Sequence, residues 1–226
     1  MGPVTTPDRP AAHPDDTAPA VRLLVVGVLL ALTVSPSVLL AGFLGTGAAA
    51  AALSVLGLVF VGPAFAAASW ALGDKARDDG LGPVAAFGRG YRLNVADVLK
   101  LWVPGLLLLA VLTFTIVDAA GRAPAWVVGF AIGAAVLVLL WLVQATVIAS
   151  FFTFRGRDTA KLGLYFLGRL PRSTLVVLVA IIVAAAVGWL MSPALLALLG
   201  VLWVAVVLRA DRPVLAEVRQ RFVESD

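Results

Sequence analysis

The feature that most constrains this chain is a series of long apolar runs that are nearly free of charge. Six of them reach or approach the roughly 20 residues of helix needed to cross a bilayer core of about 30 Å. They are residues 23–44, 48–72, 98–117, 125–154, 174–191 and 194–208. Hydrophobic residues make up 62% of the chain and charged residues 13%, which excludes a soluble domain or a disordered chain. The sequence predicts an all-α integral membrane protein.

Short breaks pair these runs into three hairpins. Gly45-Thr46-Gly47 parts the first two runs and Ser192-Pro193 parts the last two, which together are too long for a single crossing. We therefore predict a bundle of six transmembrane helices within residues 21–208. The Pro-rich residues 1–20 are predicted to form a disordered cytoplasmic tail, and residues 209–226 a charged cytoplasmic tail.

The basic residues fix the predicted orientation. Sixteen of the seventeen lysines and arginines flank the runs on one side, and only Arg122 falls on the other. Because basic residues favour the cytoplasmic side, both termini are predicted to lie inside a bacterial inner membrane. The same charges are confined to short segments beside apolar runs, so nucleic-acid binding is not expected.

Two longer cytoplasmic connections are predicted to form interfacial helices. Val84, Phe87, Tyr91, Val95 and Val98 recur at helical spacing in the first connection, although Gly88 and Gly90 favour a loop over part of it. These helices either anchor the protein at the headgroups or dock a partner or an anionic ligand. The residues predicted to dock a partner or lipid are Arg89, Arg92, Lys100, Lys161, Arg169 and Arg172.

Polar and helix-breaking residues are rare within the predicted spans. Gln144 is the most polar side chain in mid-span, and it either forms an interhelical hydrogen bond or contacts a ligand. Pro63 and Pro104 interrupt two spans and are expected either to line a solute path or to shape helix packing. Gly129 and Gly133 form a GxxxG pattern, which favours close helix packing.

No chemistry of a known enzyme class is evident. The chain has no cysteine, and its one histidine, His13, lies in the N-terminal tail. Nucleophile-elbow, zinc-protease and P-loop motifs are absent from the sequence. We expect no catalytic, cofactor or metal site.

Three motifs give the chain a family resemblance. They are GPAFAAA at residues 62–68, F-x-RGYR-x-N at residues 87–94 and LGRLPR at residues 167–172. Over residues 23–222 the chain resembles the YesL family of small bacterial membrane proteins, a domain of unknown function often encoded near carbohydrate-uptake genes. The resemblance implies an accessory role in carbohydrate uptake, and it carries over no catalytic residue.

Two hypotheses for the function follow. The first is a non-enzymatic accessory component that docks the permease or ATPase of an ABC transporter through its basic cytoplasmic connections. The alternative is an independent transporter or channel for a small neutral solute, with Gln144 and the proline-broken spans along its path. The sequence does not determine an oligomeric state.

Overall fold

The structure, a computed structural model, describes residues 19–152, 156–169, 171–190 and 199–222. Within these ranges every regular element is a helix, so the all-α class is confirmed there. The helices are α1 (Pro19–Phe43), α2 (Ala48–Gly57), a 3₁₀ turn (Leu58–Phe60), α3 (Val61–Leu72), α4 (Asp74–Asp78), α5 (Pro83–Ala119), α6 (Ala125–Phe151), α7 (Gly156–Arg169), α8 (Pro171–Leu190) and α9 (Gly200–Phe222).

Four of these units are long and apolar enough to cross a membrane. They are α1, the continuous unit Ala48–Leu72 that contains α2 and α3, α5 and α6. Helices α7 and α8 together supply a fifth candidate, bent by 100° between them. The chain is therefore a multi-pass membrane protein with four to five candidate spans among its described residues. The predicted fifth and sixth spans both extend into residues 191–198, which lie outside the described residues.

Consecutive spans pack in antiparallel fashion and share one basic end. Arg22, in the first turn of α1, donates from Nε to the backbone oxygen of Ala71 at the end of α3 (3.0 Å). There it satisfies one of the carbonyls that a helix leaves free at its last turn, where a cation is also favoured by the helix dipole. Ser173 at the start of α8 meets Asp211 in the middle of α9. We call this end, with the starts of α1, α5 and α8 and the ends of α3, α6 and α9, the basic end.

A proline divides the second span without unfolding it. Pro63 lacks the amide hydrogen that would bond one turn back, and the chain forms the 3₁₀ turn just before it. The indole Nε1 of Trp102 on α5 donates to the carbonyl oxygen of Leu58 in that turn (2.9 Å). The break is therefore stabilised by a neighbouring helix, as a break within a bilayer must be.

The first cytoplasmic connection is not a separate interfacial helix, in contrast to the prediction. Helix α5 runs unbroken for 37 residues, from the predicted connection through the predicted third span. The helix continues through both Gly88 and Gly90. At Gly90, packing against α3 offsets the low helix propensity of glycine, because a Cβ there would lie 3.0 Å from that of Trp70. At about 1.5 Å per residue, α5 is about 55 Å long and extends well beyond a 30 Å bilayer core.

The second connection does contain a helix of its own. α7 begins at Gly156 and ends at Arg169, two residues before Pro171 opens α8. Part of its apolar face is covered by protein, because Phe166 is fully buried with Ile148 of α6 and Val214 of α9.

The segment predicted to be a charged C-terminal tail continues α9 as far as Phe222. Val214 and Val218 in this segment are fully buried, at one face of the helix. Residues 1–18, including His13, and residues 223–226 lie outside the described residues.

Tight helix contacts occur at glycines other than the predicted pair. A Cβ on Gly62 would meet the Trp102 ring at 2.5 Å, and one on Gly105 would meet Leu142 at 2.5 Å. Gly129 and Gly133 have nothing within 4 Å of the same position in the described structure. The GxxxG pattern therefore makes no close helix contact within the described part of this chain.

We expect Gly62→Ala to destabilise the protein by about 1–3 kcal/mol, because the rigid indole of Trp102 occupies the space of the added methyl group. Gly133→Ala is the matched control: it adds the same methyl group to a helix at an open position. Thermal unfolding in detergent micelles measures both. Equal melting temperatures for the two variants would contradict this account of the α3–α5 contact.

Candidate functional site

Three polar side chains from three helices meet in the interior near the basic end. Gln144 of α6, Ser173 of α8 and Asp211 of α9 are all buried, with exposed fractions of 1%, 4% and 0%. The hydroxyl of Ser173 donates a hydrogen bond to Oδ1 of Asp211. We call these three residues the buried polar cluster.

The cluster has unused hydrogen-bonding capacity. The carboxamide of Gln144 lies near the carboxyl of Asp211, yet neither of its polar atoms has a hydrogen bond of ordinary geometry to any described residue. Oδ2 of Asp211 also lacks a partner within the described ranges. Buried polar atoms without partners cost about 1–3 kcal/mol each, so such atoms mark a place where water or a polar ligand is bound favourably.

The environment of Asp211 favours its neutral form. This residue lies beyond the predicted sixth span, which ends at residue 208, and outside the candidate spans of the structure. Burial raises the pKa of its carboxyl from the usual 3.8 to about 6, although the hydrogen bond from Ser173 and the nearby carboxamide of Gln144 act in the opposite direction. None of the ion pairs within the described residues involves Asp211, so no cation compensates for burial there.

A cleft opens beside the cluster at the basic end. It has a volume of about 540 Å³ and lies between the ends of α3 and α6 and the middle of α9. Leu72, Asp74, Phe151, Leu208 and Arg212 are among its lining residues. Arg212 directly follows Asp211 in sequence, so the cleft and the buried polar cluster occupy neighbouring faces of α9. The cleft thus combines apolar walls with one acidic and one basic side chain.

The two prolines predicted to line a path lie apart from the cluster. Pro63 is buried in α3, next to Gly62, which packs against Trp102 of α5, so its break shapes helix packing. Pro104 lies on the exposed side of α5, at a surface groove next to α7. The described structure does not bring either of them together with Gln144.

Three of the predicted docking residues have partners within the chain. Arg89 lies 3.4 Å from the carboxylate of Asp79, and its guanidinium stands 5.7 Å from the centre of the Trp70 ring. Lys100 pairs with Asp97 at 2.8 Å. Arg169 lies 3.7 Å from Glu217 of α9. Exposed pairs of this kind are individually weak, but they reduce the charge that each residue offers to a partner.

The other three, Arg92, Lys161 and Arg172, are exposed at the basic end. None of them forms an ion pair with another described residue. Phe87, Gly90 and Asn94 lie on the buried face of α5. Arg92 lies on the other side of the helix and is exposed. The six predicted docking residues therefore fall into two groups. Three are paired within the chain, and three have no ion-pair partner among the described residues; we call the latter free cations.

Asp211 is not among the site residues predicted from the sequence. It falls in the segment predicted to be a charged tail, where it is one acidic group among several basic ones. A signal was present: Asp211, Val214 and Val218 recur at spacings of three and four, as expected for one face of a helix. Arg22 was likewise counted only as a basic flank, although it is 4% exposed and bonded to Ala71.

We expect the stability of the protein to fall as the pH rises from about 4 through about 6. The folded state holds the Asp211 proton more tightly than the unfolded state, so the stabilisation is full below the unfolded pKa of 3.8 and is lost above the folded pKa of about 6. The difference corresponds to roughly 3 kcal/mol. Asp211→Asn, which does not titrate, should lack this loss and be more stable than the wild type at pH 8.

Thermal unfolding between pH 4 and pH 8 in detergent measures this effect. Asp118→Asn, at an exposed position, is the control and should keep the pH profile of the wild type. A wild-type profile that is flat over this range, or a profile for Asp211→Asn that falls in parallel with it, would contradict the assignment.

Comparison of the chain with protein-family models, curated proteins and solved structures found no match. The resemblance to the YesL family therefore stays a prediction from the three motifs. The roles given to residues rest on the geometry described above.

Proposed function

We propose that this chain is a non-enzymatic accessory protein of the bacterial inner membrane, which docks a partner in carbohydrate uptake through its basic end. The proposed topology has six spans in three hairpins, with both termini and the basic end in the cytoplasm. The excess of lysine and arginine at this end supports that orientation.

The contact between α8 and α9 supports the third hairpin. Ser173 meets Asp211, and Val177 shares a core cluster with Val207, so the two helices run in opposite directions. Helix α8 has 20 residues, about the length needed to cross a bilayer core.

The docking proposal rests on one observation: several helices extend beyond the bilayer at the basic end and pack against one another there. Helix α5 is too long for the bilayer by about 25 Å, and both α7 and the last part of α9 pack beside the end of α6. The buried contacts of Val214, Val218 and Phe166 hold these elements in one arrangement. A fixed surface with free cations can favour one partner through shape and charge together.

The proposed partner is the permease or the ATPase of an ABC transporter for a carbohydrate. Support for this choice comes from the family resemblance. The docking surface would include the free cations Arg92 and Arg172 and the cleft lined by Arg212. An acidic or amphipathic segment of the partner would match this combination of apolar walls and positive charge.

The alternative, a transporter or channel for a small neutral solute, has one observation in its favour. The unpaired atoms of Gln144 and Asp211 are suited to the hydroxyl groups of a neutral solute. Pro63 and Pro104 lie away from this cluster, so their positions give the alternative no further support.

Charge reversal tests the docking proposal. We expect Arg92→Glu and Arg172→Glu each to lower the yield of crosslinks to the permease or ATPase in native membranes by about tenfold or more, because like charges then meet at the interface. Arg122→Glu makes the same charge change at the opposite end and should leave the yield unchanged. Crosslinked products are identified and quantified by mass spectrometry.

Undiminished crosslinking in Arg92→Glu and Arg172→Glu would contradict docking at these residues. Absence of any stoichiometric permease or ATPase in the wild-type crosslinks would contradict the accessory role. In that case, sugar flux through reconstituted vesicles that is lost in Gln144→Leu would support the alternative.

A further inference from the structure

A surface groove lies where α7 crosses α5 and α6. It consists of two adjoining depressions of about 380 and 410 Å³, both of which include Trp141 and Ala160 in their walls. Helix α7 meets α8 at 100°, so it lies across the direction of that neighbouring span. Leu137 of α6, which lines the groove, is 63% exposed, as expected for a side chain that faces lipid.

Helix packing holds the groove in shape. The indole of Trp141 donates from Nε1 to the backbone oxygen of Ala160 on α7 (2.9 Å). One turn along α7, a Cβ on Gly163 would lie only 3.1 Å from the Cβ of Ala145, so the two helices are in close contact. Phe166 is fully buried on the same side of α7. The side chains of α7 that face the groove are therefore fixed relative to α6.

Three cations stand at the groove. Lys100 of α5, Arg157 and Lys161 line its two depressions. Arg157 and Lys161 form no ion pair with another described residue. Lys100 is paired with Asp97, but an ammonium group has three donors and retains two of them for a ligand. The remaining walls are almost entirely apolar.

The cations and the apolar walls lie at different depths. Helix α5 enters the predicted third span at about Lys100, and Pro104 follows one turn further in. Helix α6 runs towards the basic end, so Leu137 lies about 6 Å deeper in the bilayer than Trp141, which is four residues later. The groove thus has a charged upper part at the membrane interface and an apolar lower part towards the hydrocarbon.

We propose that this groove binds one anionic phospholipid from the leaflet at the basic end. Lys100, Arg157 and Lys161 hold the phosphate, and an acyl chain lies along Leu137 and the neighbouring apolar wall. Basic pockets between membrane helices on the cytoplasmic side recognise anionic headgroups in this way, and tryptophan favours the same interfacial level. The proposal does not depend on the partner of the basic end.

Native mass spectrometry tests the proposal on the full chain, reconstituted in nanodiscs of equimolar phosphatidylglycerol and phosphatidylcholine. We expect the wild type to retain one phosphatidylglycerol in preference to phosphatidylcholine. The triple variant Lys100→Gln, Arg157→Gln and Lys161→Gln should lose this preference by about tenfold or more. A control triple of Arg92→Gln, Arg172→Gln and Arg212→Gln removes the same charge from the same end outside the groove and should keep it. Retention in the groove variant, or an equal loss in the control, would overturn the proposal.

Photocrosslinking of the wild type keeps the test independent of the folding of any variant. A phosphatidylglycerol probe with a photoreactive acyl chain should label peptides of α5, α6 and α7 around Trp141. Soluble glycerol phosphate should not compete with this labelling, because it lacks the acyl chain that fills the apolar part. Labelling elsewhere on the chain, or full competition by glycerol phosphate, would overturn the proposal.

Discussion

The absence of water in a bilayer core imposes the constraint on which this structure depends. Backbone amides and carbonyls in that region must be satisfied within the protein, and a chain of such high apolar content does so by forming helices. The break at Pro63 illustrates the same constraint. The chain forms a 3₁₀ turn there, and Trp102 of the neighbouring helix bonds to the carbonyl of Leu58. Close packing at Gly62 brings the indole within reach of that carbonyl.

The same helices form the basic end. The cap that Arg22 places on α3 and the extension of α5 join this end to the spans. Helices α7 and α9 then pack beside the end of α6 through Phe166, Val214 and Val218. The docking proposal and the lipid groove both follow from this arrangement, because cations on packed helices keep fixed positions. The buried polar cluster lies within it and links α6, α8 and α9.

Much of the fold could be predicted from the sequence because each bilayer span requires a continuous apolar segment, which local composition reveals. The second span was predicted at residues 48–72, which are the bounds of the unit observed, and the fourth span, α6, begins at Ala125 as predicted. Counting apolar residues does not reveal contacts between distant segments. It therefore missed the burial of Asp211. The GxxxG pattern, read without a partner helix, predicted close packing at Gly129 and Gly133, whereas the close contacts are at Gly62 and Gly105.

The candidate site was only partly accessible from the sequence for the same reason. Gln144 stands out as a polar residue in an apolar run, so its place in the interior could be anticipated. Its neighbour Asp211 comes from a charged segment 67 positions later, and only the tertiary structure brings the two together. The division of the basic residues into paired and free groups likewise depends on Asp79 and Glu217, which are distant in sequence from Arg89 and Arg169. The pair of Lys100 with Asp97 is local, three residues apart on one helix.

The orientation of the basic end is the central claim, and single-cysteine labelling measures it most directly. The chain has no cysteine, so each introduced thiol is unique. Thr46→Cys and Arg122→Cys should react with a membrane-impermeant maleimide in intact spheroplasts, whereas Asp79→Cys and Arg212→Cys should react only after lysis. Labelling of Asp79→Cys and Arg212→Cys in intact spheroplasts, with protection of Thr46→Cys and Arg122→Cys, would place the basic end outside and contradict the account.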